Sequence, residues 1–450
     1  MTKKAIITIH LVGMLLITLM FLVDFSSNVR AENDIGTLAN EGISLYRQRR
    51  YPETKIALEK AILIKKEPNL YYLLGNTYYM LGELEKSEDT YREALKIDPN
   101  YMPALQNLGR LLYKEKKYNE SIAVFDRVLA KDPEDIKAIR FQAGSYHGMG
   151  NMPKAIEKFE QIHRLNPEDS ETIKILARLY KSSGDYSKAI VFYQKLLALE
   201  SNQAGHYLSL ARGYVKLGEK AQAINVLREG HKNITNDFNL AISLADLLFL
   251  NKEFEDAAAI YREAYLINPE SKEVPICLAK IYYLLKKFTE AEKILKDLLK
   301  TDSTNLKAYE HLGPIYLAQN KLKEASSCYE KIIMLKDKPF EEYLILGNIS
   351  LYLNKPDKAI EFYKMALDIK PDDIRALNGV GAAYSILSRW DKAITFYQRA
   401  LKSDPEDKEA KQGLLYALKH DTKGIRANID AFTGASPRVR KGDTGVFRQD

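Results

Sequence analysis

The sequence predicts an all-α protein in which a helical hairpin of 34 residues recurs about eleven times and forms a stacked solenoid. The first observation behind this prediction is a register position that holds only Gly or Ala. Its members are Gly75, Gly109, Ala143, Ala177, Ala211, Ala245, Ala279, Gly313, Gly347 and Gly381. Self-similarity at a fixed period of this size is the signature of repeat proteins, whose stacked units present an extended surface.

Two further register positions follow the same interval. Twelve residues after the first position, Ser or Ala recurs at Ser87, Ser121, Ala155, Ala189, Ala223, Ala257, Ala291, Ala325, Ala359 and Ala393. Four residues later a larger side chain recurs at Tyr91, Phe125, Phe159, Tyr193, Leu227, Tyr261, Leu295, Tyr329, Tyr363 and Tyr397. The small side chains let two helices approach closely, and the larger side chains are predicted to fill the space between them.

Proline marks the ends of many predicted second helices, because it lacks an amide proton and disfavours helical backbone in the residue before it. The prolines in this position are Pro99, Pro133, Pro167, Pro269, Pro371 and Pro405. An apolar residue recurs at the turn between the two helices, and Trp390 is predicted to pack there. The copy at 201–237 deviates most, since Gly230 and Thr235 replace the usual Ala and Pro.

The pattern resembles the tetratricopeptide repeat, which has the same period and a related signature. The resemblance covers about residues 35–407, and the first copy, marked by Gly42, is one residue shorter near Pro68. It implies a right-handed α-solenoid that binds partners in a concave groove. Composition agrees with one elongated helical domain, because 46% of the residues are hydrophobic, 28% are charged, and no Gly-rich linker interrupts the repeats.

Residues 1–31 are predicted to be a secretory signal peptide or an N-terminal membrane anchor. Lys3 and Lys4 precede the uncharged stretch 5–23, and a segment rich in small residues follows at 26–31. This order is typical of a cleaved leader, although the apolar stretch nearly reaches the roughly 20 residues that cross a bilayer. Both interpretations predict an extracytoplasmic location, in the periplasm or cell envelope of a bacterium, with membrane contact only through this segment.

The chain after the repeats is predicted to contain a closing helix and a tail. Residues 408–420 have helical spacing of apolar residues and are predicted to cap the solenoid. Residues 421–450 lose the pattern and are predicted to form a disordered basic tail.

No motif in the sequence points to an enzyme. There is no nucleophile elbow, phosphate-binding Gly motif or metal-ligand spacing, so we predict no catalytic residue, no cofactor and no metal site. Cys277 and Cys328 fall on different repeats and are predicted to be free thiols. Nucleic-acid binding is not expected, because the groove offers few aromatic platforms beyond Tyr79 and Tyr113.

The resemblance places positions 2, 5, 9, 12 and 13 of each repeat in the concave groove. In the third to sixth copies these positions hold one acid, Glu171, and nine cations: Arg110, Lys114, Lys137, Arg140, Lys174, Arg178, Lys181, Arg212 and Lys216. Like charges gathered in this way predict a partner with acidic segments. The alternative is that long basic side chains merely solvate a helix surface.

The same positions in the seventh to tenth copies hold two cations, Lys280 and Lys307, and four acids, Asp246, Glu273, Glu310 and Glu341, and most of the others are apolar. They hold Ile242, Phe249, Leu250, Ile276, Tyr283, Leu284, Leu317, Leu344, Leu351 and Tyr352. Phe249, Tyr283 and Tyr352 are predicted to bind the partner, whereas packing between neighbouring helices is the alternative for any member of this set. The sequence therefore predicts a basic half and an apolar half of the groove.

Some relatives clamp the terminal carboxylate of a peptide with Lys, Asn and Arg side chains from three successive repeats. Asn76, Asn107 and Lys137 fall on matching positions, but Tyr72 and Phe141 replace the expected Lys and Arg. The match is incomplete, so acidic segments are expected as ligands rather than that terminus, with Asn76 among the predicted partner-binding residues.

These observations predict a non-catalytic protein–protein interaction scaffold in the cell envelope that binds an extended, partly acidic segment. Binding of an anionic polysaccharide or another envelope polymer during export or assembly is the alternative hypothesis.

Overall fold

The structure is a computed structural model that describes residues 36–433, with side chains described as far as Ile429. The chain divides into two compact units, and the boundary in the sequence falls between Ser201 and Asn202. Helices in the described part of the first unit are α1 (36–47), α2 (Tyr51–Ile64), α3 (Pro68–Leu81), α4 (Leu84–Ile97), α5 (Met102–Lys114), α6 (Tyr118–Leu129), α7 (Ile136–Gly148), α8 (Met152–Leu165), α9 (Ser170–Ser182) and α10 (Tyr186–Leu199). Those of the second unit are α11 (Ala204–Lys216), α12 (Lys220–Asn233), α13 (Phe238–Leu250), α14 (Phe254–Ile267), α15 (Glu273–Leu284), α16 (Phe288–Thr301), α17 (Leu306–Ala318), α18 (Leu322–Leu335), α19 (Phe340–Tyr352), α20 (Pro356–Ile369), α21 (Ile374–Ile386), α22 (Trp390–Ser403), α23 (Lys408–Leu418) and α24 (Thr422–Thr433).

Within each unit the helices pack in chain order as hairpins. The odd-numbered first helix packs against the even-numbered second helix that follows it, and each second helix packs on the first helix of the next hairpin. This arrangement is an α-solenoid and confirms the predicted all-α fold class. Each predicted copy corresponds to one hairpin, with the register position of Gly75 in the first helix and that of Tyr91 in the second.

The small residue of a first helix lies directly against the large side chain of its second helix. A Cβ atom added at Gly75 would lie 2.6 Å from the Tyr91 ring, and one added at Gly347 would lie 2.5 Å from the Tyr363 ring. Both rings are buried. Ser87, in the second small register position, donates a hydrogen bond of 2.8 Å to the carbonyl oxygen of Gly75. The predicted size complementarity is therefore confirmed at these hairpins.

The deviating copy at 201–237 keeps its packing by exchanging large and small side chains. Leu227 stands where most copies have an aromatic residue, and Tyr207 on α11 fills the hairpin instead. A Cβ atom added at Gly230 would meet the Tyr207 ring at 2.7 Å, and Asn233 Nδ2 donates a hydrogen bond of 2.9 Å to its hydroxyl. In this hairpin the aromatic ring therefore belongs to the first helix, α11, and its small partner Gly230 belongs to the second helix, α12.

The turn inside a hairpin contains one residue with left-handed backbone. Gly82 has φ of 80°, and Lys116 occupies the equivalent place with φ of 61°. A residue with a Cβ atom adopts this conformation at an energetic cost, which the packing of both helices must offset. Trp390 begins α22 beside such a turn, and its ring stacks on His420 with centroids 5.0 Å apart, as expected of a turn-packing residue.

The chain after His420 forms a helix where the sequence predicted disorder. Helix α24 packs on α21 and α23, and its side chains Ile425 and Ile429 are buried. Asn428 Nδ2 donates a hydrogen bond of 3.1 Å to the carbonyl oxygen of Glu409. The predicted tail is therefore wrong for residues 422–433, because two apolar residues one turn apart give a short helix a buried face. Residues 434–450 and the predicted signal or anchor at 1–31 lie outside the described residues.

The substitution Gly379→Ala should destabilise the second unit. The Tyr363 ring lies between Gly347 and Gly379, so it cannot move away from an added Cβ atom. Overpacking costs about 1–3 kcal/mol, whereas Gly→Ala at an unobstructed helical position stabilises by about 0.5–1 kcal/mol. Thermal unfolding followed by circular dichroism measures the sign of the change.

Gly205→Ala is the matched control in the same unit, because nothing lies within 4 Å of its added Cβ atom. We expect an unchanged or slightly raised melting temperature for this variant. Adding Tyr363→Leu to Gly379→Ala should recover part of the lost stability. A Gly379→Ala variant that melts at or above the wild type contradicts the packing argument.

Truncating Ile425 should lower the stability of the second unit, because the side chain is fully buried between α24 and the preceding hairpin. Ile425→Ala is expected to cost about 2–4 kcal/mol, while Lys423→Ala at an exposed position of the same helix should stay within about 0.5 kcal/mol. Urea denaturation of both variants gives the comparison. If Ile425→Ala and Lys423→Ala have equal denaturation midpoints, α24 does not stabilise the unit and the predicted disordered tail is favoured instead.

Candidate partner-binding faces

Exposed side chains of the first helices contact one another from hairpin to hairpin. In the first unit, Lys114 Nζ lies 3.1 Å from the hydroxyl of Tyr79 and 4.6 Å from its ring centroid. In the second unit, the guanidinium of Arg375 binds both carboxylate oxygens of Glu341 at 2.9 Å. These contacts join equivalent or adjacent register positions of successive first helices. The first helices of each unit therefore share one side, called here the first-helix face.

Four of the predicted partner-binding cations are exposed on the first-helix face of the first unit. They are Arg110 on α5, Lys137 on α7, and Arg178 and Lys181 on α9. Among residues 36–429, whose side chains the structure describes, none of these four side chains forms an ion pair or a hydrogen bond. We call these four residues the basic face. Arg178 and Lys181 are three residues apart, so they lie on the same side of α9 and reinforce each other's positive potential.

Two other predicted cations of the first unit are neutralised by acids that the sequence analysis missed. Arg140 binds Asp169 at 2.9 Å, and Lys174 binds Glu200 at 3.0 Å. Although partial burial raises the pKa of Asp169, the Thr172 hydroxyl and the Arg140 guanidinium hold that pKa below its usual value. Both acids lie in the connections between hairpins, outside the five register positions. Counting those positions alone therefore overstates the positive charge of the face.

Asn76 belongs to a partly buried polar network, which it joins through its side-chain oxygen. The Tyr91 hydroxyl donates to Asn76 Oδ1 at 2.6 Å, and Asn107 Nδ2 donates to the same oxygen at 2.6 Å. An equivalent bond of 2.6 Å joins the Tyr363 hydroxyl to Asn348 Oδ1. Asn at this register position thus accepts the hydrogen bond of the buried tyrosine. Both asparagines of the partial carboxylate-clamp match are engaged in this way.

The second unit displays both kinds of predicted residue on its first helices. Arg212 and Lys216 on α11 are exposed, and in the described part of the chain neither forms an ion pair. Phe249, Tyr283 and Tyr352 are partly buried on α13, α15 and α19. Each therefore retains some ring surface that a partner can contact.

The apolar set is narrower than the sequence predicted. Leu250 and Leu284 are 48% and 41% exposed, next to Phe249 and Tyr283 in the chain. In contrast, Leu317, Leu344 and Leu351 are buried, with 4–7% exposure. Placing these three in the groove was wrong, because they pack between neighbouring helices in the core.

Cys277 and Cys328 are free thiols, as predicted. Burial raises the pKa of the Cys328 thiol to about 12, so this thiol is protonated at neutral pH. Among residues 36–433, no three His, Cys, Asp or Glu side chains converge in a group that could hold a metal ion. No helix in the same range combines the length and apolar character that spanning a bilayer requires.

Five family models, each described as Tetratricopeptide repeat, match most of the repeat region. The matched residues are 68–101, 88–143, 172–205, 208–272, 248–312, 306–339 and 346–408. The chain belongs to the tetratricopeptide repeat family. Tetratricopeptide repeat domains generally bind protein partners, which supports a protein–protein interaction scaffold.

Two similar proteins share the description Uncharacterized protein ycf37. The chain is 36% identical over 61 residues to the Uncharacterized protein ycf37 of Pyropia yezoensis, covering 14% of this chain and 34% of that protein. It is 30% identical over 90 residues to the Uncharacterized protein ycf37 of Porphyra purpurea, covering 19% of this chain and 52% of that protein. The chain thus spans about a third and about half of the lengths of these relatives.

Solved structures with a similar fold include a tetratricopeptide repeat protein from Parabacteroides merdae. It has a TM-score of 0.36 and 18% identity, with coverage of 55% of this chain and 98% of that chain. Yeast Tom70 has a TM-score of 0.32 and 16% identity, with coverage of 89% of this chain and 97% of that chain.

Removing the Asn76 side chain should reduce the stability of this tetratricopeptide repeat protein rather than only its affinity for a partner. In Asn76→Ala the buried Tyr91 hydroxyl loses its acceptor, which costs about 1–3 kcal/mol. Urea denaturation of the purified chain measures this loss without any ligand.

Arg110→Ala is the matched control on the next first helix, because Arg110 is exposed and makes no described ion pair. Its unfolding midpoint should stay within about 0.5 kcal/mol of the wild type. If Asn76→Ala is equally neutral, the network is not structural and Asn76 returns to the partner-binding set.

Proposed function

We propose that this tetratricopeptide repeat protein is a non-catalytic scaffold whose first-helix faces bind an extended, partly acidic segment of a protein partner. The observation that carries the proposal is the basic face. Arg110, Lys137, Arg178 and Lys181 are exposed and lack a carboxylate partner in the described chain. A partner that brings carboxylates to this face relieves the repulsion among these cations.

The unpaired state of the basic face contrasts with its surroundings in the first unit. Arg140 and Lys174, on two of the same helices, are each bound to an acid at 2.9–3.0 Å. On the second helix α4, Arg92 binds Glu88 at 2.8 Å. Carboxylates are therefore available along the unit and are paired elsewhere. Positive charge left over on one face favours capture of an acidic ligand over simple solvation of the surface.

Rigid display of these side chains supplies the proposed mechanism. The first helices are held by buried aromatic rings, so the cations project from positions that the ligand does not need to order. Charge attraction accelerates encounter with an acidic segment and weakens as salt is added. An extended ligand gains contacts from successive hairpins, each of which contributes one or two side chains.

Apolar contacts of the second unit add a second kind of anchor to the proposal. Phe249, Leu250, Tyr283 and Leu284 present partly or substantially exposed apolar surface on α13 and α15. Aromatic and aliphatic anchors of this type supply most of the binding energy in typical interfaces. We propose that these four side chains contact aliphatic or aromatic residues of the partner.

An extracytoplasmic location, in the periplasm or cell envelope, remains part of the proposal. Its support is the sequence of residues 1–31, in which a basic start precedes an apolar stretch and a small-residue segment. Fractionation of cells that express a C-terminally tagged chain tests this location, and recovery with cytoplasmic markers contradicts it.

Reversing three cations of the basic face should weaken binding of an acidic probe. In the variant Lys137→Glu/Arg178→Glu/Lys181→Glu, we expect at least a roughly tenfold rise in Kd for a fluorescent peptide of alternating Glu and Leu. The wild-type affinity should fall as salt increases, because exposed charges are screened. Fluorescence anisotropy at two salt concentrations measures both effects, with circular dichroism as the check on helicity.

The matched control is Lys60→Glu/Lys66→Glu/Lys131→Glu, which changes the net charge equally at exposed positions of the same unit. This variant should bind the peptide within about threefold of the wild type. Equal weakening in both variants means attraction to net charge alone and rejects the basic-face assignment. A preference for a soluble anionic polysaccharide over the peptide would instead favour the envelope-polymer alternative.

A further inference from the structure

Helix α21 is buried all round in the second unit, because ten consecutive residues, 376–385, are buried. Three of them, Asn378, Ala382 and Ser385, occupy positions 5, 9 and 12 of their repeat, which the resemblance places in the groove. In the seventh copy the residues at these positions are at least partly exposed, namely Ile242, Asp246 and Phe249. A helix buried on all sides has a neighbour on each side, so another element covers the groove side of α21.

Helix α24 is the element that covers this side. It packs on the first helices α21 and α23. Its Arg426 side chain donates a hydrogen bond of 3.4 Å to Asn354 Oδ1, just after the end of first helix α19. Contacts with three successive first helices place α24 on the first-helix face of these hairpins.

The contact of α24 has the chemistry of a bound amphipathic helix. Ile425 and Ile429 are one turn apart and are 0% and 5% exposed. Between them in the chain, Asn428 Nδ2 donates a hydrogen bond of 3.1 Å to the carbonyl oxygen of Glu409 on α23. Recognition of a helix in a groove uses the same pattern, in which aliphatic anchors one turn apart are accompanied by a polar contact.

The covered surface keeps polar groups that α24 does not satisfy. Asn378 Nδ2 donates to Asp407 at 2.8 Å, but the buried Oδ1 atom of Asn378 accepts no hydrogen bond from any described residue. The Tyr397 hydroxyl lacks the asparagine acceptor that the Tyr363 hydroxyl has, because Ala382 stands at that register position. Buried polar atoms are nearly always paired, since leaving one unpaired is costly. The surface therefore has hydrogen-bonding capacity that α24 leaves to another occupant.

We propose that α21 and α23 form a helix-binding site on the first-helix face of the second unit, which α24 occupies in this structure as an internal ligand. The external ligand is an amphipathic helix of a protein partner, with two aliphatic side chains one turn apart. Because residues 419–421 alone join α24 to α23, α24 is present at high effective concentration and excludes partner helices that bind weakly. The site does not rest on the proposed basic face, since all of its residues lie in the second unit.

Release of α24 within the full chain tests the site. The variant Ile425→Asp/Ile429→Asp loses the buried face of α24, so the site should open to an added fluorescent peptide with the sequence of residues 421–433. Fluorescence anisotropy should give a Kd at least about tenfold lower for this variant than for the wild type, because the attached helix no longer competes. The matched control is Lys423→Asp, which changes the net charge equally at an exposed position of α24 and should bind as the wild type does.

An insertion variant leaves every buried side chain in place. About 20 Gly and Ser residues inserted between His420 and Asp421 lower the effective concentration of α24, so the added peptide should bind at least about threefold more tightly than to the wild type. A peptide in which both isoleucines are replaced by Asp should bind to neither variant. Circular dichroism checks that both variants keep the helicity of the wild type.

Tighter binding of the peptide to both variants, without binding of the Asp-containing peptide, supports the proposal. An insertion variant that binds the peptide no more tightly than the wild type overturns it, even where the double aspartate variant loses its fold. Equal binding of the two peptides also overturns it, as does a Lys423→Asp control that binds as tightly as the double aspartate variant.

Discussion

The close approach of an aromatic ring to bare helix backbone is the constraint on which the rest of the structure depends. In the last hairpins the Tyr363 ring occupies space that a Cβ atom of Gly347 or Gly379 would need. Dense packing of this kind leaves one arrangement of the two helices, since a shift in either direction opens a void or causes a clash. The exchange of sizes between Tyr207 and Gly230 indicates that the shared volume is conserved, while the helix that supplies the ring can change.

That constraint explains why the fold was predictable from the sequence. A ring and its small partner lie 16 residues apart within one hairpin, so their contact is local and repeats with the period of the chain. Features without such a marker were not predictable. The left-handed turn residue is Gly82 in one hairpin and Lys116 in the next, so residue type alone does not predict this conformation. Helix α24 lacks the recurring small and aromatic residues of the repeat, and its packing depends on two buried isoleucines, Ile425 and Ile429.

The candidate site was less predictable, because register position alone does not decide exposure. Lys181, Phe249 and Leu317 share position 12 of their repeats, yet they are exposed, partly buried and buried, respectively. Register position also does not determine whether a cation is neutralised. Arg140 is paired with Asp169, which lies 29 residues later in a connection between hairpins. Contacts between repeats therefore require the three-dimensional structure, whereas contacts within a hairpin do not.

Charge in the first unit is distributed unevenly, in a way that the net charge of the chain does not reveal. The chain carries +7 overall, and four cations of the basic face are unpaired within the described residues, whereas Arg140 and Lys174 on two of the same helices are paired with acids. Because buried rings hold the first helices in place, mutations that loosen the ring contacts should disturb this charge pattern and the stability of the fold together, whereas charge changes at exposed positions should leave stability nearly unchanged.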